Sequence, residues 1–444
     1  MKKPLLLLLF LVNLGCSYSA LSQKNNKQIN AFSDRIFDGT GYQPISTLKW
    51  KFKTEGKIFS SPLVQHEIVY IGSEDGFLYA VEEKSGNLKW KFKTGGAIHS
   101  SLSTFENMIY FGSFDGNYYA INTENGKLIW KFKTGGEHWM GEIGMWGLKP
   151  ETQYMEDLWD FFLSSPVVYQ NKKTSLVVFG SSDGNVYAVN AKTGKTEWKF
   201  KTNGPVHGTA VINKDKIYIG GWDAVLYTLN AETGKEIWHF ATTTQTGFKG
   251  IQSSVAVADG MVYFGARDPF LFALDSETGK LIWKYNAENS WILSSAVIKD
   301  NTVYVGTSDT YALLALDAKT GEEKYRFKAN GYVYSSPSIS GNTIYFGDFT
   351  GNFFALNLLS NGKEFNFVST ESRKKLAASV LKNDLVDFGY AAQNADISFY
   401  EPNKKVMDRF YELGSIVSSA FINQNTVYFG SADGHLYAYN LKGE

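Results

Sequence analysis

Residues 68–92 read Ile-Val-Tyr-Ile-Gly-Ser-Glu-Asp-Gly-Phe-Leu-Tyr-Ala-Val-Glu-Glu-Lys-Ser-Gly-Asn-Leu-Lys-Trp-Lys-Phe, and most of this phrase returns about every forty residues. Its turn-proximal glycine recurs as Gly72, Gly112, Gly180, Gly220, Gly265, Gly306, Gly347 and Gly430, with a worn copy near Gly389. Residues 68–72 and 77–81 alternate apolar with small or polar side chains around Ser73-Glu74-Asp75-Gly76, which predicts two strands joined by a tight turn. A second turn signal, Ser85-Gly86-Asn87, leads into Leu88-Lys89-Trp90-Lys91-Phe92. There lysines alternate with apolar residues, the period of a half-buried strand. An inner strand around residues 60–64 brings each unit to four strands. A repeat of this length is that of a propeller blade, which cannot bury its faces alone.

The two ends of the chain explain each other. Residues 48–52 form an outer strand with no repeat before it, and the last copy, 427–440, stops before any outer strand. An N-terminal strand that completes the last blade closes the ring and removes its free edges. Residues 47–444 therefore read as one all-β, closed β-propeller of four-stranded blades. Counting the worn Gly389 copy, after which residues 391–400 and 406–410 keep the strand pattern, gives nine repeats, with eight as the fallback if that segment does something else. The outer-strand aromatics Trp50, Trp90, Trp130, Trp198, Trp238 and Trp283 read as packing between blades. Burying roughly 150–250 Å² per ring is a gross gain of roughly 4–6 kcal/mol each. Asp75, Asp115, Asp183 and Asp433 recur once per blade, as turn chemistry does. The paired serines led by Ser60, Ser100, Ser164, Ser253, Ser294, Ser335 and Ser418 recur in the same way. Their periodicity points to packing around the channel, with no single activated nucleophile.

The combination Leu-Tyr-Ala-Val/Leu-Asn-x-x-Thr-Gly-Lys-x-x-Trp, clearest at residues 186–198, 226–238 and 271–283, closely resembles the pyrroloquinoline-quinone (PQQ) type repeat. Two branches share that repeat. Quinoprotein dehydrogenases hold a quinone and a calcium ion in the ring, whereas a non-catalytic branch, typified by the outer-membrane assembly lipoprotein of the Bam complex, is a scaffold for other proteins. This chain resembles the second more. The dehydrogenases carry an adjacent cysteine pair, and here Cys16 is the only cysteine. No Glu/Asn/Asp set for calcium can be assigned. The resemblance therefore implies neither PQQ nor calcium, and no other cofactor is expected.

Residues 1–15 carry Lys2 and Lys3, an apolar run over 5–12, and Leu14-Gly15 ahead of Cys16. That layout is an export signal, too short for a mature membrane span. Cys16 is the predicted lipidation site, and residues 16–46, rich in Ser, Asn, Gln and Lys at first, read as a tether. The expected location is the bacterial cell envelope, on the periplasmic side or the surface, as an outer-membrane lipoprotein with a lipid anchor in the membrane. Forty-four Lys and Arg balance 44 Asp and Glu, so no net field favours nucleic acid.

One insertion, residues 137–163, breaks the rhythm where an outer strand passes to the next inner strand. Such connections gather around the channel mouth, and long insertions in short-looped folds are disproportionately functional. Its His138, Trp139, Trp146 and Trp159, with His99, His207, Trp291, Tyr332 and Tyr334 from other blades, form the candidate rim for a ligand or partner. The competing structural reading is a helix over about 151–162 that plugs the mouth. His99, His207 and His138 come from separate segments without ligand spacing, so no metal site is assigned. Nothing visibly activates Glu137, Glu142, Glu156, Asp157 or Asp160, and no catalytic residue is assigned. The function expected is a non-catalytic envelope scaffold for a protein or extended peptide, assisting outer-membrane protein assembly. The alternative is a quinoprotein-like or sugar-binding enzyme or sensor using the central funnel.

Overall fold

Each repeat folds as its alternation dictates, into an antiparallel sheet whose strands run in chain order from the channel outward. In the first blade these are Leu63–Gln65, Ile68–Gly72, Phe77–Glu82 and Leu88–Lys93. The computed structural model describes residues 29–30, 35–143, 152, 154–242, 250–386 and 400–443. Within them lie 8 four-stranded blades, I–VIII in chain order. The inner strands of blades II–VIII are Ser103–Phe105, Val167–Gln170, Val211–Asn213, Ala256–Ala258, Val297–Lys299, Ser338–Ser340 and Phe421–Asn423. Blade VIII is finished by Ile45–Lys53, which pairs antiparallel with His435–Leu441 and sets Trp50 opposite Ala438 and Lys51 opposite Tyr437. The ring is latched as its two ends predict.

The count of nine is corrected to eight. Gly389 lies outside the described residues, but Val406–Phe410, read as strand, belongs to the helix Tyr400–Leu413. Val406 and Phe410, like Met407 and Tyr411, are four apart and share a helix face, which packs into an aromatic cluster with Phe59, Tyr332 and Phe349. Lys404–Asp408 and Lys405–Glu401 pair across the solvent side at 2.9 and 3.5 Å. In a stretch this short the helical period is easily mistaken for alternation.

Two periodic devices join the blades. Each tryptophan indole donates to a backbone carbonyl of the next blade: Trp50 to Glu83 at 2.9 Å, Trp130 to Ala191 at 2.8 Å, Trp283 to Ala318 at 3.0 Å. Its ring lies on the next blade's turn glycine. At Gly86, with φ of +74°, a Cβ would sit 2.8 Å from the Trp50 ring, so conformation and contact both require glycine. The first serines Ser60, Ser100, Ser253 and Ser294 each clamp a hairpin of their own blade; Ser60 Oγ donates to the Gly72 carbonyl at 2.8 Å and accepts its N–H at 3.0 Å. The second builds a belt. Ser61 N–H donates to Ser101 Oγ, Ser101 to Ser165, Ser165 to Thr209, Thr209 to Ser254, Ser254 to Ser295, Ser295 to Ser336, and Ser419 back to Ser61, at 2.8–3.1 Å. These buried hydroxyls are structural.

The segment read as tether is partly built into the ring. Ile29–Asn30 pairs antiparallel with the inner strand of blade II, and Ile36–Phe37 pairs parallel with that of blade VII. Arg35 is buried between them and the ring. Cys16 lies outside the described residues.

Candidate functional site: a sealed channel mouth

The insertion leaves the outer strand Leu128–Lys133 and forms a hairpin, Gly141–Ile143 with Tyr154–Glu156, before descending into the mouth. The helix of the competing reading does not form over the described residues 154–162, of which Tyr154–Glu156 are strand. Asp157 instead accepts the Trp159 N–H on its carboxylate at 2.9 Å and the Asp160 N–H on its carbonyl at 3.1 Å, which turns the chain downward. Trp159 and Phe161 then pack with Phe59, Tyr332, Tyr334, Phe349 and Phe410. Residues from the insertion, the 400–413 helix and the blade tops thus fill the mouth together.

Three carboxylates of the insertion fasten it. Asp157 pairs with Arg267, both side chains fully buried. The guanidinium also donates to Gln252 Oε1 from Nε at 3.1 Å and Nη2 at 2.9 Å, and lies between the rings of Trp222 and Trp291, 4.3 and 4.9 Å from their centroids. Asp160 accepts from His207 Nδ1 at 2.9 Å and from the Met140 N–H at 2.8 Å. Glu137 accepts Ser181 Oγ at 2.7 Å and both the N–H and Oγ of Ser182 at 2.9 Å. Ser182 Oγ, which also accepts the His138 N–H at 3.2 Å, stands 2.7 Å from His207 Nε2. Because Ser182 Oγ already donates to Glu137, both His207 contacts carry a proton only when His207 donates from both nitrogens, as an imidazolium.

Burial opposes that charge, yet Asp160 and then Glu137 hold the His207 pKa above its ordinary 6.5. A raised folded-state value gives stability that is complete below pH 6.5 and is lost as pH rises through the folded value. The melting-temperature gap between the wild type and His207→Gln is therefore expected to be widest near pH 6 and to narrow toward pH 9. A gap that widens with pH would contradict this assignment.

His99 behaves oppositely. Its Nδ1 lies 2.8 Å from the Phe161 carbonyl and so carries the proton, while its ring meets Phe59, Phe114 and Trp139. Burial pushes its pKa down to about 4. His99 and His207 both border a void of about 10 Å³, room for one water at most. Among the described residues no three His, Cys, Asp or Glu are grouped to hold a metal ion. Of the predicted rim, His99, Trp159, His207, Tyr332 and Tyr334 are buried inside the plug and Trp291 is half-buried against Arg267. Trp139 is half-buried, stacked on Phe114 with centroids 4.3 Å apart; His138 is exposed, and Trp146 lies outside the described residues.

Sequence reasoning missed Arg267 and Gln252, and it named Glu137, Asp157 and Asp160 without finding that they fasten the insertion. A signal was present in the repeat itself. The residue before each of the seven serine pairs, and before Gly208-Thr209 in the equivalent place, varies as Phe59, His99, Leu163, His207, Gln252, Leu293, Tyr334 and Val417, and all eight are buried at the mouth. The turn position aligned with Glu74 varies likewise, and supplies Phe114, Ser182, Trp222, Arg267 and Phe349. Positions that vary inside an otherwise constant repeat are those that face the mouth.

A family model described as outer membrane protein assembly factor BamB matches residues 46–143, 133–253 and 223–378. No curated protein sequence matches significantly. Among solved structures the chain is similar to BamB from Moraxella catarrhalis, with a TM-score of 0.62 and 15% identity over 90% of this chain and 98% of that one. It is also similar to quinohemoprotein alcohol dehydrogenase from Comamonas testosteroni, with a TM-score of 0.63 and 13% identity over 88% of this chain and 76% of that one. A europium-containing methanol dehydrogenase gives 0.65 and 15% over 92% and 96%. At such identities these structures share the fold alone. With its matched segments covering most of the ring, the chain belongs to the family of the outer membrane protein assembly factor BamB, built on PQQ-type propeller repeats.

Proposed function

We propose that this protein is a non-catalytic scaffold of the bacterial cell envelope that assists outer-membrane protein assembly, anchored by a lipid on Cys16. The observation that carries the reading is the insertion hairpin. Ile143 and Tyr154 face each other across it and are 63% and 51% exposed, while the chain below is fixed by buried ion pairs. A rigidly mounted apolar pair is what a protein partner would engage. The family match supports the same reading. So does the filling of the mouth by Trp159, Phe161 and Phe410, since a quinone or sugar enzyme would need that funnel open. Among the described residues no helix is long and apolar enough to cross a membrane.

A photo-crosslinking residue at position 143 in the native envelope is expected to capture an envelope protein. Ile143→Asp with Tyr154→Asp should abolish co-purification of that protein with its melting temperature unchanged. Undiminished recovery would remove this surface from the reading. Cys16→Ala should move the protein from the membrane to the soluble fraction.

A further inference from the structure

At the other end of the channel the inner strands leave an unfinished sheet edge. An innermost strand turns one row of N–H and C=O groups toward the axis, and such a row is a template for another strand. The chain already uses this template twice. Ile29–Asn30 lies antiparallel on Ser103–Phe105 of blade II and Ile36–Phe37 lies parallel on Ser338–Ser340 of blade VII. All inner strands of a propeller run the same way along the axis, so these two short strands run in opposite directions: the segment goes up one side and returns down the other. Arg35 heads the return. Its Nη1 donates to the carbonyls of Ser295 at 2.8 Å and Pro337 at 3.2 Å, and its Nη2 to Ala296 at 2.7 Å, bridging blades VI and VII.

The consequence is an asymmetric channel. The inner strands of blades I, II and VII are buried at every residue. Those of blades IV and V are half-buried at all three of theirs, and that of blade VI at two. Among the described residues no strand pairs with the inner edges of blades I, III, IV, V, VI or VIII, and of these only the strands of IV and V have no buried residue. Blades IV, V and VI border a cavity of about 700 Å³ that is lined also by residues 167–170 of blade III and by Arg35 and Ile36. Its lining from blades IV, V and VI is Val211, Ile212, residues 255–258 and residues 296–298, all uncharged and mostly aliphatic, with Lys214 at the strand end.

We infer that this open half of the channel binds an extended polypeptide strand, which pairs through its backbone with the inner edge of blade IV, V or VI as the chain's own segment does on blades II and VII. Each edge offers three residues, about 10 Å of strand. The occupant is a short uncharged stretch with β-branched or small side chains, because the lining presents aliphatic groups and backbone. Main-chain hydrogen bonds supply affinity, and the lining limits side-chain size. This site is separate from the exposed hairpin, which stands above the plug at the opposite end.

The test uses the whole protein and a fluorescent acetyl-Ser-Val-Thr-Ile-Val-Ser-amide peptide. Saturable binding by fluorescence anisotropy is expected, weakened at least tenfold when the central Thr and Ile are replaced by proline, which removes the pairing N–H groups. Hydrogen exchange should show protection at residues 211–213, 256–258 and 297–299 on binding. The Ile143→Asp, Tyr154→Asp protein should bind the peptide as the wild type does, so loss of the hairpin partner and loss of the channel ligand are read separately. Absence of binding, protection confined to other segments, or equal affinity for the proline peptide would each overturn the proposal.

Discussion

Arg267→Ala is expected to lower stability by about 3–5 kcal/mol, the usual cost of stripping one partner from a buried ion pair. The guanidinium is fully buried, and its removal leaves Asp157 Oδ2 and Gln252 Oε1 without its N–H groups, so that the carboxylate keeps only the Trp159 N–H. It also opens the space between Trp222 and Trp291. At about 2.1 cal/mol/K per residue over a ring of this size, the loss corresponds to a fall of roughly 4–6 °C in melting temperature. Arg267→Lys should recover little, because an ammonium cannot stack between two indoles while reaching Gln252 and Asp157 in a planar fork. Arg267→Met with Asp157→Asn should lose clearly less than the sum of the single changes. The amide keeps an oxygen for the Trp159 N–H while the unpaired charge is gone. Proteolysis should cut the insertion of Arg267→Ala before it cuts the blades. A variant as stable and as protease-resistant as the wild type would mean that aromatic packing alone holds the plug.

The ring was legible in the sequence because its physics is repeated. Each blade restates the same alternation, turn and tryptophan, so errors in one copy are corrected by the others. The latch was legible for the same reason: a missing outer strand at one end and a surplus one at the other have one economical solution. The mouth was not, because it is built from what the repeats do not share. Asp157 and Arg267 are 110 residues apart, and no local pattern connects them. Val406 and Phe410 satisfied a strand pattern over five residues, and only the 14-residue length of the helix reveals the longer period. The channel segment was hidden by brevity. Pairing of two residues each, at Ile29–Asn30 and Ile36–Phe37, leaves no periodic trace in a polar stretch.

Removing residues 1–53 is expected to be the most damaging change of all, because it takes away the strand that closes the ring. Ile45–Lys53 is the outer strand of blade VIII, and without it His435–Leu441 becomes a free edge. That edge carries Tyr437 and Tyr439, now buried, so its exposure invites pairing between molecules. The loss includes Trp50, 8% exposed, whose truncation alone costs about 3–5 kcal/mol in a typical core. The indole bond to the Glu83 carbonyl goes too, which frees blade I from blade VIII on the outer side. The truncated chain should therefore elute from size exclusion as aggregates. A synthetic peptide of residues 35–53, added during refolding, should restore a monomer because it supplies the whole latch together with Arg35 and the Ile36–Phe37 strand. The same peptide with Trp50→Ala should restore much less. If the truncated chain stays monomeric and melts near the wild-type temperature, the serine belt and inter-blade packing close the ring by themselves, and the N-terminal strand is only an addition to its outside.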